Sequence, residues 1–204
     1  MSVNTEQLPE AAQLLLTVAG TTPVLLFNNV WQDLKSSISP LSMNNVVFEF
    51  PGAGGGIADN RLRGGFLKML FLEKPRAGTE HINNKVKELF ESAHFKISWV
   101  KDMQSWLWNH FAMNAAMETE VLRRGSFPAL MNHSDSFANV GKNMREIVPV
   151  LKARGATATS TSPFDMMRAV FNFIYKNIIA NIEKGKQWYI KYISLTPRGP
   201  NMYT

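Results

Sequence analysis

Hydrophobic and polar residues alternate in short blocks through the first hundred positions, with turn-forming residues between the blocks. Short apolar runs predict strands, whereas apolar residues spaced three and four apart predict amphipathic helices. We therefore expect helices over 6–18, 34–38 and 83–93, and strands over 23–27, 46–50, 67–72 and 95–100. The run over 23–27 ends in Asn28 and Asn29, which is typical of a buried parallel strand that emerges into a loop.

The pattern changes near Asp102, where long helical periodicity replaces the short runs. It predicts helices over about 102–124, 134–154 and 163–184, and a last helical segment over 187–195. The predicted fold class is thus α/β followed by all-α. The change in pattern also predicts two domains, covering 1–100 and 101–204.

A polar stripe interrupts the first of these long helices. The segment Ser105 to Glu120 is apolar nearly all round, yet His110, Asn114 and Glu118 recur at intervals of four residues. This spacing aligns them along one side of a helix. Burying an imidazole or an amide without partners costs about 1–3 kcal/mol. The stripe therefore belongs either to a hydrogen-bonded core network or to the wall of a cleft, and we expect Asn29 to share such a cleft.

The segment Pro51 to Gly56, PGAGGG, invites comparison with phosphate-binding loops. In the dinucleotide fingerprint G-x-G-x-x-G, Gly52 and Gly54 match, but Ile57 occupies the last glycine position. The Gly-Lys-Ser/Thr ending of a P-loop is also missing. The sequence favours a plain glycine-rich loop between two strands, with ligand contact through backbone amides as the alternative.

Composition limits the remaining function classes. The 204 residues, 45 % of them hydrophobic, suffice for one sizeable core or two small ones. The chain has no cysteine, and its four histidines show no metal-ligand spacing, so we expect no metal site. The first ten residues lack a signal-peptide pattern and no apolar run is long enough for a membrane span, which predicts a cytoplasmic protein without a membrane partner. The net charge is +6 but the basic residues are scattered, which argues against a nucleic-acid partner.

Four segments together resemble the ketopantoate reductase (2-dehydropantoate 2-reductase) family, and they come in the family's order. They are PVLLFNN from Pro23, FPGAGGG from Phe50, KDMQSWLWNHFAMNAAMETE from Lys101 and REIVPVLKARG from Arg145. The resemblance implies a partial Rossmann-like domain followed by a helical domain of the 6-phosphogluconate dehydrogenase C-terminal type. It also implies NADP as the cofactor and a small-molecule carbonyl compound as the substrate, and it leaves a homodimer open.

The same resemblance assigns roles to individual residues. His110 stands where the family has its catalytic Lys, as in a divergent branch with His in a D-M-x-x-W-L-x-x-H context, and Asn114 keeps the next family Asn. Glu118 and Asn177 fall at substrate-binding positions, and Asn29 falls beside the nicotinamide.

One part of the family pattern is missing from this sequence. The family's N-terminal half of the cofactor domain, with its G-x-G-x-x-G, has no counterpart in the chain. We therefore expect weak or no NADPH binding by this chain alone. The predicted function is an NADPH-dependent carbonyl reductase of which this chain is a truncated form. The alternative is a non-catalytic helical dimerisation or binding module derived from that family.

Overall fold

The computed structural model describes residues 4–20, 22–58, 60–126, 129–130, 133 and 135–157. Its helices are α1 (Leu8–Val18), α2 (Leu34–Ser37), α3 (Glu80–Ser92), α4 (Met103–Arg124) and α5 (Ser136–Ala153), and its strands are β1 (Val24–Leu26), β2 (Val46–Ala58), β3 (Arg61–Glu73) and β4 (Lys96–Val100). A short 3-10 helix, Met43–Asn45, precedes β2. The helices predicted over 163–184 and 187–195 lie outside the described residues.

The four strands form one sheet in the order β1-β2-β3-β4. β1 runs parallel to β2, with Leu25 beside Val47, and β3 runs parallel to β4, with Leu70 beside Ile97. β2 and β3 are neighbours in the sheet, and β2 ends at Ala58 while β3 begins at Arg61. So short a connection requires antiparallel strands. α3 connects β3 to β4, as expected for a crossover between parallel strands.

The hydrophobic core beneath α3 comes from alternate residues of the strands. Its buried members are Val47, Leu70, Leu72, Ile82 and Val86, and partly buried Leu25, Phe90, Ile97 and Trp99 pack against them. The strand residues are two apart and therefore point to one face of the sheet, whereas Ile82 and Val86 are four apart on one side of α3. These spacings explain why the strand residues and the buried side of α3 meet in one core.

The prediction of a glycine-rich loop is wrong. β2 continues through the glycine segment to Ala58, and the chain reverses beside Asn60, whose φ of 55° is left-handed. Asn tolerates that backbone conformation better than most residues do. Glycines are depleted in strands because they lack packing side chains, but β2 is hydrogen-bonded to the neighbouring β3.

A salt bridge holds the start of β2 to the end of β3. Arg76 donates from Nη2 to Glu73 Oε1 at 3.0 Å and to the carbonyl of Val46 at 2.6 Å. Glu73 Oε1 also accepts from the amide of Phe48 at 2.8 Å, and Arg76 Nη1 donates to the carbonyl of Met43 at 2.9 Å. These bonds satisfy a buried carboxylate and fix the chain where it enters β2.

The chain forms two compact units. The first comprises Met1–Gly52, Leu67–Phe111 and Ala156–Thr159, and the second comprises Ala53–Phe66, Ala112–Gly155 and Ser160–Thr204. In the second unit, buried Glu120 accepts from Arg124 Nε at 2.9 Å and from Asn139 Nδ2 at 3.3 Å, which ties α4 to α5. Domains covering 1–100 and 101–204 stay a prediction. None of the helices in the described part of the chain combines the length and the hydropathy that a bilayer span requires.

Candidate functional site

The N-terminal half of α4 is anchored by a carboxylate at its start. Asp102 accepts from the amide and the hydroxyl of Ser105, at 3.0 and 2.6 Å, and from the hydroxyl of Thr157 at 2.8 Å. Burial opposes the ionisation of Asp102, but these hydrogen bonds outweigh it, so that its pKa lies below the ordinary value. The charged carboxylate therefore caps the helix that carries His110.

Aromatic rings surround the His110 imidazole. It stacks on Trp106, one turn earlier, with ring centroids 5.2 Å apart and planes at 6°, and the ring of Phe50 lies 4.3 Å away. Trp106 is fully buried and also contacts Phe50 and Phe71, at 5.2 and 4.8 Å between centroids. This packing fixes the orientation of the imidazole from two sides.

Burial lowers the pKa of His110 from 6.5 to about 4, because the charged form loses its hydrating water among these rings. The imidazole is therefore neutral at pH 7. A neutral imidazole donates one hydrogen bond and accepts another, but it cannot act as a cationic acid unless a bound anion raises its pKa.

The other two members of the polar stripe follow along the same helix. Asn114 and Glu118 are partly buried, and each lies four residues, or about 6 Å, further along α4 than the one before. They belong to the second compact unit, whereas His110 belongs to the first. That the three residues line one cleft together with Asn29 stays a prediction.

Asn29 lies just beyond β1, in the same compact unit as His110. The segment that follows Asn29 is bonded to α4: the Trp108 indole donates to the carbonyl of Trp31 at 2.6 Å, and the ring of Phe111 lies 5.3 Å from that of Trp31. These contacts bring the chain around Asn29 towards the part of α4 that carries His110. Asn177 lies outside the described residues.

The carbonyl oxygen of the Asn29 side chain is buried and has no hydrogen-bond partner among the described residues. Its backbone carbonyl, by contrast, accepts from the Thr5 hydroxyl at 3.2 Å. An orphaned buried acceptor is costly, which makes Asn29 a candidate for contact with a ligand that donates a hydrogen bond.

Glu49 is a further candidate that was not among the predicted site residues, although a single acidic residue inside the run VVFEF was a usable signal. Its side chain is buried to 1 % exposure on β2, and neither carboxylate oxygen has a partner among the described residues. Burial raises the pKa of Glu49 to about 9, so the carboxyl group is protonated at pH 7. Glu49 follows the last residue of β2 that pairs with β1, and therefore lies at the carboxyl end of the parallel pair. Ligands of open α/β sheets bind at such ends.

The described residues do not fit the phosphate groups of a dinucleotide. Such groups bind where a glycine-rich turn opens a helix, because the helix N-terminus presents free amides. In this chain the glycine segment lies within β2 and leads into β3. A nicotinamide amide could donate to Asn29, but no pyrophosphate cradle accompanies it in the described ranges. Those ranges also contain no cluster of three His, Asp or Glu side chains arranged to hold a metal ion.

No protein-family profile and no curated protein matches the sequence. Solved structures do match the fold. A dimeric ketopantoate reductase from Staphylococcus aureus aligns with a TM-score of 0.60 and 16 % identity, over 88 % of this chain and 68 % of that one. A D-mandelate dehydrogenase, solved with NADH and anilino(oxo)acetate, aligns with a TM-score of 0.59 and 14 % identity, over 77 % of this chain.

The chain spans about half of the D-mandelate dehydrogenase, 51 % of its length. Both likenesses are to reductases or dehydrogenases, and at these identities they establish the fold. The predicted fold class is confirmed: the chain has a partial Rossmann-like sheet followed by helices, as in the dehydrogenases it resembles.

Proposed function

We propose that this chain is the substrate-binding portion of a ketopantoate reductase-like oxidoreductase, of the divergent His-containing branch, which reduces a small carbonyl compound. The observation that carries the proposal is the position of His110 on α4, where its imidazole packs against the rings of Trp106 and Phe50. The fold around it is shared with a ketopantoate reductase, and the motifs of that family follow in order along the sequence.

His110 is the proposed proton donor to the carbonyl oxygen. With a pKa of about 4 it is neutral in the free protein at pH 7. A 2-oxo acid brings a carboxylate, and an anion within about 4–6 Å favours the charged imidazolium. Substrate binding would therefore raise the pKa of His110 towards neutrality, so that the acid forms only when there is a substrate to protonate.

Neighbouring polar residues would complete the substrate site. Asn114 is proposed to hold the substrate oxygen, and Glu118 and Asn177 to contact the rest of the substrate. Asn29 is proposed to contact the nicotinamide through its orphaned side-chain oxygen.

NADP is the proposed cofactor, and when bound it would supply the hydride. Because the described residues offer its phosphate groups no cradle, this chain's own contribution is to bind and polarise the carbonyl compound. The groups that hold the dinucleotide phosphates would have to come from outside the described residues. A homodimer and a cytoplasmic location remain predictions.

A second candidate function is a non-catalytic binding or dimerisation module. Two observations favour it: His110 is neutral at pH 7, and the glycine segment is a strand. A module of this kind would bind neither a 2-oxo acid at His110 nor a nicotinamide.

The two functions differ in the response of His110 to ketopantoate. Histidine NMR of the 204-residue chain, titrated with acid in the presence and absence of ketopantoate, reports the pKa of each imidazole. We expect ketopantoate to raise the pKa of His110, which lies against the rings of Trp106 and Phe50. If the pKa of His110 is the same with and without a high concentration of ketopantoate, the reductase proposal is rejected in favour of the module.

Calorimetry with variants gives a second test of the same site. His110→Ala should abolish ketopantoate binding, whereas His110→Lys, with the residue found in most of the family, should retain part of it. NADPH titrated into the unmodified chain should bind more weakly than micromolar. The control variant His81→Ala should bind ketopantoate as the unmodified chain does.

A further inference from the structure

The ring contact between Trp106 and His110 differs from the other ring contacts of Trp106. The indole is tilted by 48° against the ring of Phe50 and by 32° against that of Phe71, but it lies at only 6° to the imidazole, with centroids 5.2 Å apart. The imidazole is thus stacked on the indole face. An aromatic face attracts a cation within about 6 Å of the ring centroid, and that of Trp does so most strongly. The contact therefore suits a charged imidazole as well as a neutral one.

The indole is held in this position from the side of the sheet. Trp106 is fully buried, and its ring centroid lies 5.2 Å from that of Phe50 on β2 and 4.8 Å from that of Phe71 on β3. Exclusion of water also reduces the screening of electrostatic interactions around the ring. A contact between this indole and a cation should therefore be stronger than one at the protein surface.

The carboxyl groups on the surrounding elements are placed differently with respect to His110. Asp102 and Glu118 lie eight residues to either side, about 12 Å along the axis of α4, and Asp102 is bonded to hydroxyl groups at the helix start. Glu49 precedes the β2 residue that contacts the imidazole, and alternation directs it to the opposite face of the sheet. Glu73, at the end of β3, is in a salt bridge with an arginine. The electron-rich groups that contact the imidazole in the described part of the chain include two ring faces.

His110 must gain a charge before it can act as a proton donor. Loss of hydrating water opposes that charge, which is why burial lowers the pKa of His110 to about 4. A substrate carboxylate would offset part of this cost. The indole face can offset a further part, because it is already in position and needs no reorganisation when the charge forms.

We propose that Trp106 is a positioning residue for His110, whose indole face binds the imidazolium form through a cation–π contact. The inference rests on the proposed function, because it concerns the residue that serves there as the proton donor. Trp106 itself does not contact the substrate. It fixes the plane of the imidazole and stabilises its charged form, whereas an aliphatic side chain of similar size would fill the same space without attracting the charge.

Fluorinated tryptophans test this contact with little change in shape. Each fluorine withdraws electron density from the ring face and so weakens its attraction for a cation. The chain, which contains five tryptophans, is produced with ordinary, monofluorinated, difluorinated and trifluorinated tryptophan. Histidine NMR during acid titration reports the pKa of His110, whose signal is the one lost in His110→Gln. We expect this pKa to fall stepwise with each fluorine, by about one unit in total, which is roughly tenfold weaker proton binding.

Two variants assign the effect to one tryptophan. In Trp106→Phe, fluorination of the remaining tryptophans should leave the pKa of His110 unchanged, whereas in Trp108→Phe the stepwise fall should persist. The free energy of unfolding at pH 7 is measured in parallel, because a merely structural role would change it without changing the pKa. Urea unfolding across the same pH range reports the pKa of the folded state through proton linkage, and so covers a variant that unfolds in acid.

Two results would overturn the role of Trp106. They are a pKa of His110 that does not change with fluorination, and a fall of equal size in Trp106→Phe. The proposed function fails through a different result, in which ketopantoate leaves the pKa of His110 unchanged in the unmodified chain while the response to fluorination is present.

Discussion

Replacing Glu49 by Gln should make the protein more stable at neutral pH, although it removes a native side chain. Glu49 is 1 % exposed, and neither of its carboxylate oxygens has a partner among the described residues. Its pKa is raised to about 9 by burial, so the folded protein keeps the carboxyl group protonated while the unfolded chain ionises it. Gln has nearly the same shape and does not ionise.

The size of the effect follows from proton linkage. Stability associated with a raised pKa is fully present below the unfolded pKa of 4.5 and is lost as pH rises towards about 9. Each pH unit within that window costs about 1.4 kcal/mol, which amounts to about 3 kcal/mol at pH 7. A protein of ordinary stability has about 5–15 kcal/mol in total, so the difference is easily measured.

Urea unfolding at pH 5, 7 and 8 provides the assay. The free energy of unfolding of the unmodified chain should fall relative to that of Glu49→Gln at each step, and the two should nearly converge at pH 5. Glu88→Gln, on the exposed side of α3, should follow the unmodified chain throughout. A gap between Glu49→Gln and the unmodified chain that does not change with pH would refute the assignment of a protonated, buried carboxyl group.

Two further predictions concern His110 and Arg76. The pKa of His110 is lowered from 6.5 to about 4, so the free energy of unfolding should fall by about 3 kcal/mol as the pH drops from 6.5 to 4. Urea unfolding at several pH values should show that this loss disappears in His110→Gln but persists in His81→Gln. The same pH dependence in all three proteins would contradict the prediction. Arg76→Ala removes the cation from the buried Glu73 carboxylate and should reduce the free energy of unfolding by about 3 kcal/mol. Lys87→Ala, in an exposed helical pair, should cost less than about 0.5 kcal/mol, and equal losses in the two variants would show that burial of Glu73 is unimportant.

Much of the fold could be predicted because short-range patterns reflect which side chains face a core. The apolar run over 23–27 became β1, and the apolar segment after Asp102 became the 22-residue helix α4. Composition was misleading at the glycine segment. There, hydrogen bonding of β2 to a neighbouring strand outweighs the low preference of glycine for strands.

The candidate site was only partly visible in the sequence. His110 was identified by its spacing from Asn114 and Glu118 within an apolar helix. Its aromatic surroundings were not visible, because Phe50 is 60 positions away and reaches the imidazole only through the placement of β2 against α4. Glu49 was overlooked because a single Glu in a strand can point to solvent or to the core.

The sequence by itself determined the order of the elements and the polar stripe on α4, since each depends on spacing along the chain. The tertiary structure alone decided the protonation of Glu49 and His110, because a pKa depends on the water and charges that surrounding elements remove or supply. It also decided that β1 has an edge uncovered by any strand of the described residues, because the pairing of strands distant in sequence depends on how the whole sheet assembles.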